Sequence, residues 1–190
     1  MLTNLLSRIF SRSAQPARAF NQQAYDAILQ QGFRSQNAGD EVAAETLYRR
    51  ALNIDPVSVD AQYLLGKLLG QRGQLQEAAV LLQRAVAAKP DFPDAHAALG
   101  NVYLLQEKKQ AAVASYLEAI RLDPNNASAH SNLGLIYQSG NQHEAALRCF
   151  ARAHELAPEL SVALRNLTQE RIALEQFEQA LALLQDLYRK

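Results

Sequence analysis

Four glycines, Gly32, Gly66, Gly100 and Gly134, stand 34 residues apart, and four prolines, Pro56, Pro90, Pro124 and Pro158, keep the same interval. Two residue types sharing one register make the chain a row of copies of one supersecondary unit, and that must be read before any local structure. The frame starts at Tyr25, Val59, Pro93, Ala127 and Ser161 and needs no insertion. Position 7 holds Gln31, Leu65, Leu99, Leu133 and Leu167, and position 11 holds Ser35, Leu69, Tyr103, Tyr137 and Arg171. Position 20 is alanine every time: Ala44, Ala78, Ala112, Ala146 and Ala180. Position 24 is Tyr48, Leu82, Tyr116, Phe150 and Leu184, and position 27 is Ala51, Ala85, Ala119, Ala153 and Leu187.

Each unit reads as two antiparallel helices. Small residues at positions 8, 20 and 27 let backbones approach, while Leu and aromatics at 7, 11 and 24 fill the remaining space. Enlarging Ala112 or Ala146 is therefore expected to overpack, at about 1–3 kcal/mol each. Gly39, Gly73 and Asn141 at position 15 mark the turn inside a unit, because they tolerate left-handed backbone at a helix end. The proline at position 32 has no amide hydrogen and ends the second helix. Pro93 falls on a first helical position, its favoured place.

The run Leu99-Gly100-x2-Tyr103, Ala112-x3-Tyr116, Pro124 and the run Leu133-Gly134-x2-Tyr137, Ala146-x3-Phe150, Pro158 resemble the tetratricopeptide-repeat pattern. Its tryptophan is missing at position 4, where His96 and His130 stand, and the fifth unit has Thr168 for the glycine and Arg171 for the aromatic. The resemblance covers residues 25–190 and implies an all-α fold: a right-handed α-solenoid of stacked antiparallel helix pairs, the tetratricopeptide superhelix. The expected organisation is a basic amphipathic helix plus linker over 1–24, then units 25–58, 59–92, 93–126, 127–160 and 161–190. In the family the first helices line the concave side. That map places Tyr63, Lys67, Asn101, Leu104, Leu105, Asn132, Leu135, Arg165, Asn166 and Gln169 in a groove for an extended peptide or helix of a partner protein.

Asn101, Asn132 and Asn166 suggest an amide ladder pairing with a peptide backbone, since each offers two donors and an acceptor; plain solvated polar residues are the alternative reading. A second family device, a clamp of basic residues on a C-terminal carboxylate, is excluded because its cationic positions hold Ala97, Val162 and Asn166. Asp26, Asp60 and Asp94 recur at position 2. An acid in a first turn complements the helix dipole by about 0.3–1 kcal/mol, which outweighs an acidic stripe as an explanation.

Nineteen basic and nineteen acidic residues cancel, so no global field draws this chain to nucleic acid. No apolar run reaches the roughly 20 residues of a membrane-spanning helix. The one cysteine, Cys149, forms no internal disulfide and reads as an inert thiol. There is no phosphate loop, cysteine pair or HExxH, and His143 and His154 lie about 16 Å apart on one helix, too far to share a metal. His96 and His130 read as packing residues. No catalytic residue, cofactor or metal is expected, and an interaction scaffold, cytoplasmic, is the leading reading. The alternative is the substrate-recognition arm of a protein-modifying enzyme such as a glycosyltransferase or methyltransferase.

Leu2, Leu5, Leu6, Ile9 and Phe10 form a narrow apolar arc, and Arg8, Arg12 and Arg18 meet no acid within residues 1–24. Three roles are open: covering the first unit's apolar side, peripheral contact with a membrane surface, or targeting. At the other end, Leu181, Leu184 and Leu187 are expected to face a further repeat, another domain or a second copy, giving self-association.

Overall fold

The computed structural model describes residues 22–158 and 161–188, and every regular element in them is an α-helix. The helices are α1 (Gln22–Asn37), α2 (Glu41–Ile54), α3 (Val59–Gln71), α4 (Leu75–Ala88), α5 (Pro93–Leu105), α6 (Lys109–Leu122), α7 (Ala127–Ser139), α8 (His143–Leu156), α9 (Ser161–Ala173) and α10 (Phe177–Tyr188). The segment predicted as an amphipathic helix and linker lies outside the described residues, apart from the last three, which open α1. Because α1 begins at Gln22, Asp26 is not in a first turn as predicted; its carboxylate accepts from Gln22 Nε2 at 2.7 Å instead. Asp60 and Asp94 do occupy first turns.

The chain divides into two compact units, residues 1–61 and 62–190. In the first, α1 and α2 close on a cluster of Tyr25, Ile28, Ala51 and Ala61, and the Tyr25 hydroxyl bonds the Ser58 hydroxyl. In the second, helix pairs stack in chain order as an all-helical solenoid. α5 packs on α6, α6 on α7, α7 on α8 and α8 on α9, while α5 also touches α7, the first helix of the following pair. Ala112, Tyr116 and Ala119 of α6 bury against Ala129, Leu133 and Ile136 of α7. One helix pair alone leaves such a face exposed, so each depends on its neighbour.

The 34-residue glycine earns its place by contact. A Cβ on Gly100 would lie 2.7 Å from the Tyr116 ring, one on Gly134 2.7 Å from Phe150, one on Gly66 2.8 Å from Leu82, and in the first unit one on Gly32 2.6 Å from Tyr48. The large residue at position 24 therefore sits flat on the first helix's backbone. Those four side chains are fully buried, as are the alanines at 20 and 27 across the first four repeats. Alanine also recurs at position 3, and Ala61, Ala95, Ala129 and Ala163 are buried there.

The turn inside each repeat is the same in all five. Position 15 is left-handed at Gly39, Gly73, Glu107, Asn141 and Glu175, with φ of 82, 76, 61, 56 and 59°. The following N–H reaches back five residues: Asp40 to Ser35, Gln74 to Leu69, Lys108 to Tyr103, Gln142 to Tyr137 and Gln176 to Arg171, at 2.8–2.9 Å. This is a Schellman closure, and it sets the backbone whatever side chain is present. Glycine and asparagine signal it in sequence; Glu107 and Glu175 do not. At the other end of the first four repeats, Asp55, Lys89, Asp123 and Ala157 donate to the carbonyl of the alanine at position 27, and a proline follows.

Left-handed backbone costs a non-glycine residue about 1–2 kcal/mol, of which glycine's extra chain entropy returns about 0.5–1. Glu107→Gly is thus expected to stabilise the protein by about 0.5–1 kcal/mol, and Gly73→Ala to destabilise it by about 1 kcal/mol, in denaturant unfolding. Gly134→Ala is expected to lower the unfolding midpoint. Overpacking against Phe150 at about 1–3 kcal/mol exceeds the helix-propensity gain of about 1; an unchanged midpoint would show that the ring yields freely.

Candidate functional site

A hollow of about 380 Å³ opens on the face made by first helices in the second unit. Its walls include Tyr63, Lys67 and Gly70 of α3 and Asp94, Ala97, Asn101 and Leu105 of α5, with Asn126 and Ser128 at the start of α7. The hollow exists because two facing positions are small. Position 12 is Gly70 here but Gln36, Leu104, Gln138 and Ile172 elsewhere, and position 5 is Ala97 where earlier repeats carry Leu29 and Tyr63. A Cβ on Gly70 would meet Val102 at 2.9 Å, so this glycine also brings α3 close to α5. The Tyr63 ring tilts against Phe92 with centroids 4.7 Å apart, and the Lys67 ammonium lies 5.9 Å from the Tyr63 centroid. Burial pushes the Tyr63 phenol up, and the nearby Asp94 carboxylate adds to it.

Tyr63, Lys67, Asn101 and Leu105, four of the residues predicted for the groove, line this hollow together. Asn132 of α7 joins them through a bond: its Nδ2 donates to Asn101 Oδ1 at 2.8 Å, and the Tyr116 hydroxyl donates to the same oxygen at 2.6 Å. Burial drives the Tyr116 phenol far above its ordinary range, and its contact with Asn132 tempers that. Farther along, Leu135, Arg165 and Gln169 are exposed. Two predicted residues depart. Leu104 is half-buried against the Tyr116 cluster. Asn166 is only 6% exposed, with Nδ2 unpartnered, so it is no open groove residue. The repeat frame gives the reason: the counterparts of Asn101 and Tyr116 one unit on are Leu135 and Phe150, and neither side chain can accept a hydrogen bond.

Glu170 is 1% exposed and was not anticipated. It accepts from Gln138 Nε2 at 2.5 Å and lies 2.8 Å from His143 Nδ1, which ties α7, α8 and α9 together. A partial signal was available in the sequence: position 10 reads Arg34, Leu68, Val102, Ile136, Glu170, with charge at the two ends of an apolar middle. His96 and His130 are half-buried, as packing residues should be, and do more than fill space. Their Nε2 atoms lie 2.9 and 3.1 Å from the Pro90 and Pro124 carbonyls, fastening each first helix to the end of the preceding repeat. Burial pushes the Cys149 thiol up, which suits an unreactive sulfur; Arg148 moderates it. Among the described residues no three His, Cys, Asp or Glu side chains are grouped to hold a metal ion, and no helix is long and apolar enough to cross a membrane. Of the leucines predicted to face outward at the C-terminal end, Leu181 is 56% exposed; the side chains of Leu184 and Leu187 lie outside the described set.

Family models for tetratricopeptide repeats match residues 37–102 and 127–160, and a further TPR-repeat model matches 104–140. No curated protein matches significantly. Among solved structures, a MamA crystal structure is 25% identical over 84% of this chain and 97% of its own, with a TM-score of 0.71. MamA from Desulfovibrio magneticus RS-1 is 18% identical over 90% and 96%, with a TM-score of 0.76. PilF of Pseudomonas aeruginosa is 22% identical over 85% and 73%, with a TM-score of 0.77.

The buried phenols predict a response to alkali. In the first unit Tyr48, fully buried and donating to Gln36 Oε1 at 3.0 Å, is pushed up to about 12 by its burial. The folded state favours the neutral phenol, so this stabilisation is complete below the unfolded value of about 10 and is lost as pH rises from there through about 12. Denaturant unfolding across that window should show the fall, and Tyr48→Phe should remove Tyr48's share of it.

Proposed function

Since the chain belongs to the tetratricopeptide-repeat family, we propose that its second unit receives an extended segment of a partner protein along the first-helix face. Repeats of this kind generally mediate protein–protein interaction, and the fold is typically a non-enzymatic scaffold. The proposed contacts are Tyr63, Lys67, Asn101 and Leu105 at the hollow, Asn132 beside it, and Leu135, Arg165 and Gln169 beyond.

The observation that carries this reading is the hollow itself, lined by residues from three successive first helices and their ends, with the small Gly70 and Ala97 among them. An extended segment suits it because such a chain presents side chains to a pocket and backbone carbonyls to donors at once. Asn101 has its oxygen occupied by Tyr116 and Asn132, so what it keeps to offer is the two hydrogens of Nδ2. Lys67 and Leu105 are exposed and add a cation and an apolar edge.

Peptides selected from a random display library on the wild-type protein provide the probe. Lys67→Glu with Leu105→Asp should weaken their binding by at least about tenfold, or 1.4 kcal/mol, with the unfolding midpoint unchanged. Asn101→Ala should lower binding and stability together, because it leaves the buried Tyr116 hydroxyl unpaired at about 1–3 kcal/mol. Selected peptides that bind the Lys67/Leu105 variant as tightly as wild type would move the contact off this face.

A further inference from the structure

A cleft of about 300 Å³, sharing no residue with the groove, lies among α6, α7 and α8. Leu117 and Ile120 of α6 and Leu133 of α7 give it an aliphatic wall. Leu117 is 48% exposed there, an uncovered apolar surface. None of the lining residues is acidic, and Arg148, Arg152 and His130 border it. Arg152 is committed, donating to Glu155 and Asn125 at 3.1 Å each, and His130 is held on Pro124. Arg148 has no hydrogen bond or ion pair among the described residues. It lines the cleft beside Cys149, whose thiol its charge favours in the ionised form.

The same place one repeat earlier is built differently, so the cleft is no by-product of the repeat. There Gln83 stands in the frame position of Leu117 and donates to the Tyr103 hydroxyl at 2.6 Å, while Ala114, Ser115 and Glu118 replace Arg148, Cys149 and Arg152. Leucine at 117 cannot make that bond, and Tyr137, the equivalent tyrosine, lines the cleft together with the aliphatic wall and the uncommitted Arg148. Such a site matches a ligand with an aliphatic body and an anionic head, because the head gains a charge-assisted bond and the body covers exposed leucine. A volume near 300 Å³ sits at the small end of ligand pockets, about 300–1,000 Å³.

We propose that this cleft binds a free aliphatic carboxylate, its head taken by Arg148 and the Tyr137 hydroxyl and its chain lying on Leu117, Ile120 and Leu133. Cys149, the chain's one cysteine, lines the cleft and serves as a built-in reporter. Its alkylation by iodoacetamide in the full chain would be timed with decanoate, decanol or decyltrimethylammonium below their micellar concentrations. Decanoate should slow labelling by at least about fivefold where the other two leave it nearly unchanged, as mass action requires for a bound shield. Because Arg148→Gln alters the thiol itself, the ratio with and without ligand is compared within each protein; that variant should bring decanoate down to the level of decanol. Tyr137→Phe should weaken decanoate alone. Shifts of the Tyr137 ring resonances on the same titration give a second readout independent of thiol reactivity. Equal slowing by all three amphiphiles, or neither slowing nor ring shifts with decanoate, would sink the proposal. So would stronger protection by acetyl-Ala-Leu, which would assign the cleft to the C-terminus of a protein.

Discussion

The contact on which the rest of the structure depends is that of a large side chain at position 24 lying against a glycine at position 8. In each of the first four repeats the ring or leucine occupies the space a Cβ would need. This draws the two helices of a pair together until the alanines at 20 and 27 are also fully enclosed. The left-handed residue at position 15 closes the pair in all five repeats, including the fifth, where Thr168 replaces the glycine. Glu107 and Glu175 adopt that conformation although their own preference opposes it. The helix-pair architecture outranks the local propensity of the turn.

The fifth repeat shows what happens when the contact is absent. Thr168 stands where the glycine would be, is buried, and bonds its hydroxyl to the Leu164 carbonyl within its own helix. The repeat's attachment to the fourth combines an apolar contact, Leu167 buried with Ala146 and Phe150, with a polar one, in which Glu170 gathers Gln138 and His143 from the two preceding helices. A buried carboxylate carries a large desolvation cost and is tolerable only where donors meet it, so this polar contact is specific in geometry without being a strong source of stability. The third and fourth repeats are joined by both kinds of contact, an apolar cluster and the Tyr116–Asn101–Asn132 bonds.

Reading the sequence alone recovered what close packing controls. Glycine, alanine, proline and the large residue at 24 recur because each repeat solves one geometric problem, and their period exposed the helix pairs, the junctions and the face to search. Of the two residues on that face that departed, Leu104 and Asn166, the second did so for a reason the period cannot supply. Asn166 shares its repeat position with Asn132, yet Asn132 finds an acceptor in Asn101 while Asn166 faces the place of Leu135. Whether an amide is a groove donor or a buried orphan depends on a residue 31 positions away. Asp26 was misjudged for a simpler reason: α1 starts ahead of the frame, and the frame carries no information about that extra turn.

The same logic explains why the positions most relevant to function were the hardest to read. A residue inside the repeat is held by neighbours that themselves recur, so its identity is written several times over. Gly70 and Ala97, which open the hollow, and Leu117, which replaces the glutamine seen one repeat earlier, each occur once. They are visible only as exceptions: Gly70 and Ala97 stand in columns otherwise occupied by something larger or more polar, and Leu117 follows Arg49 and Gln83 in its own. Since the interior tolerates no such exceptions without cost, departures accumulate on surfaces where packing imposes little, and those are the surfaces free to meet another molecule. In a repeat chain, then, the regular columns specify the scaffold, and recognition has to be sought in the residues that break them.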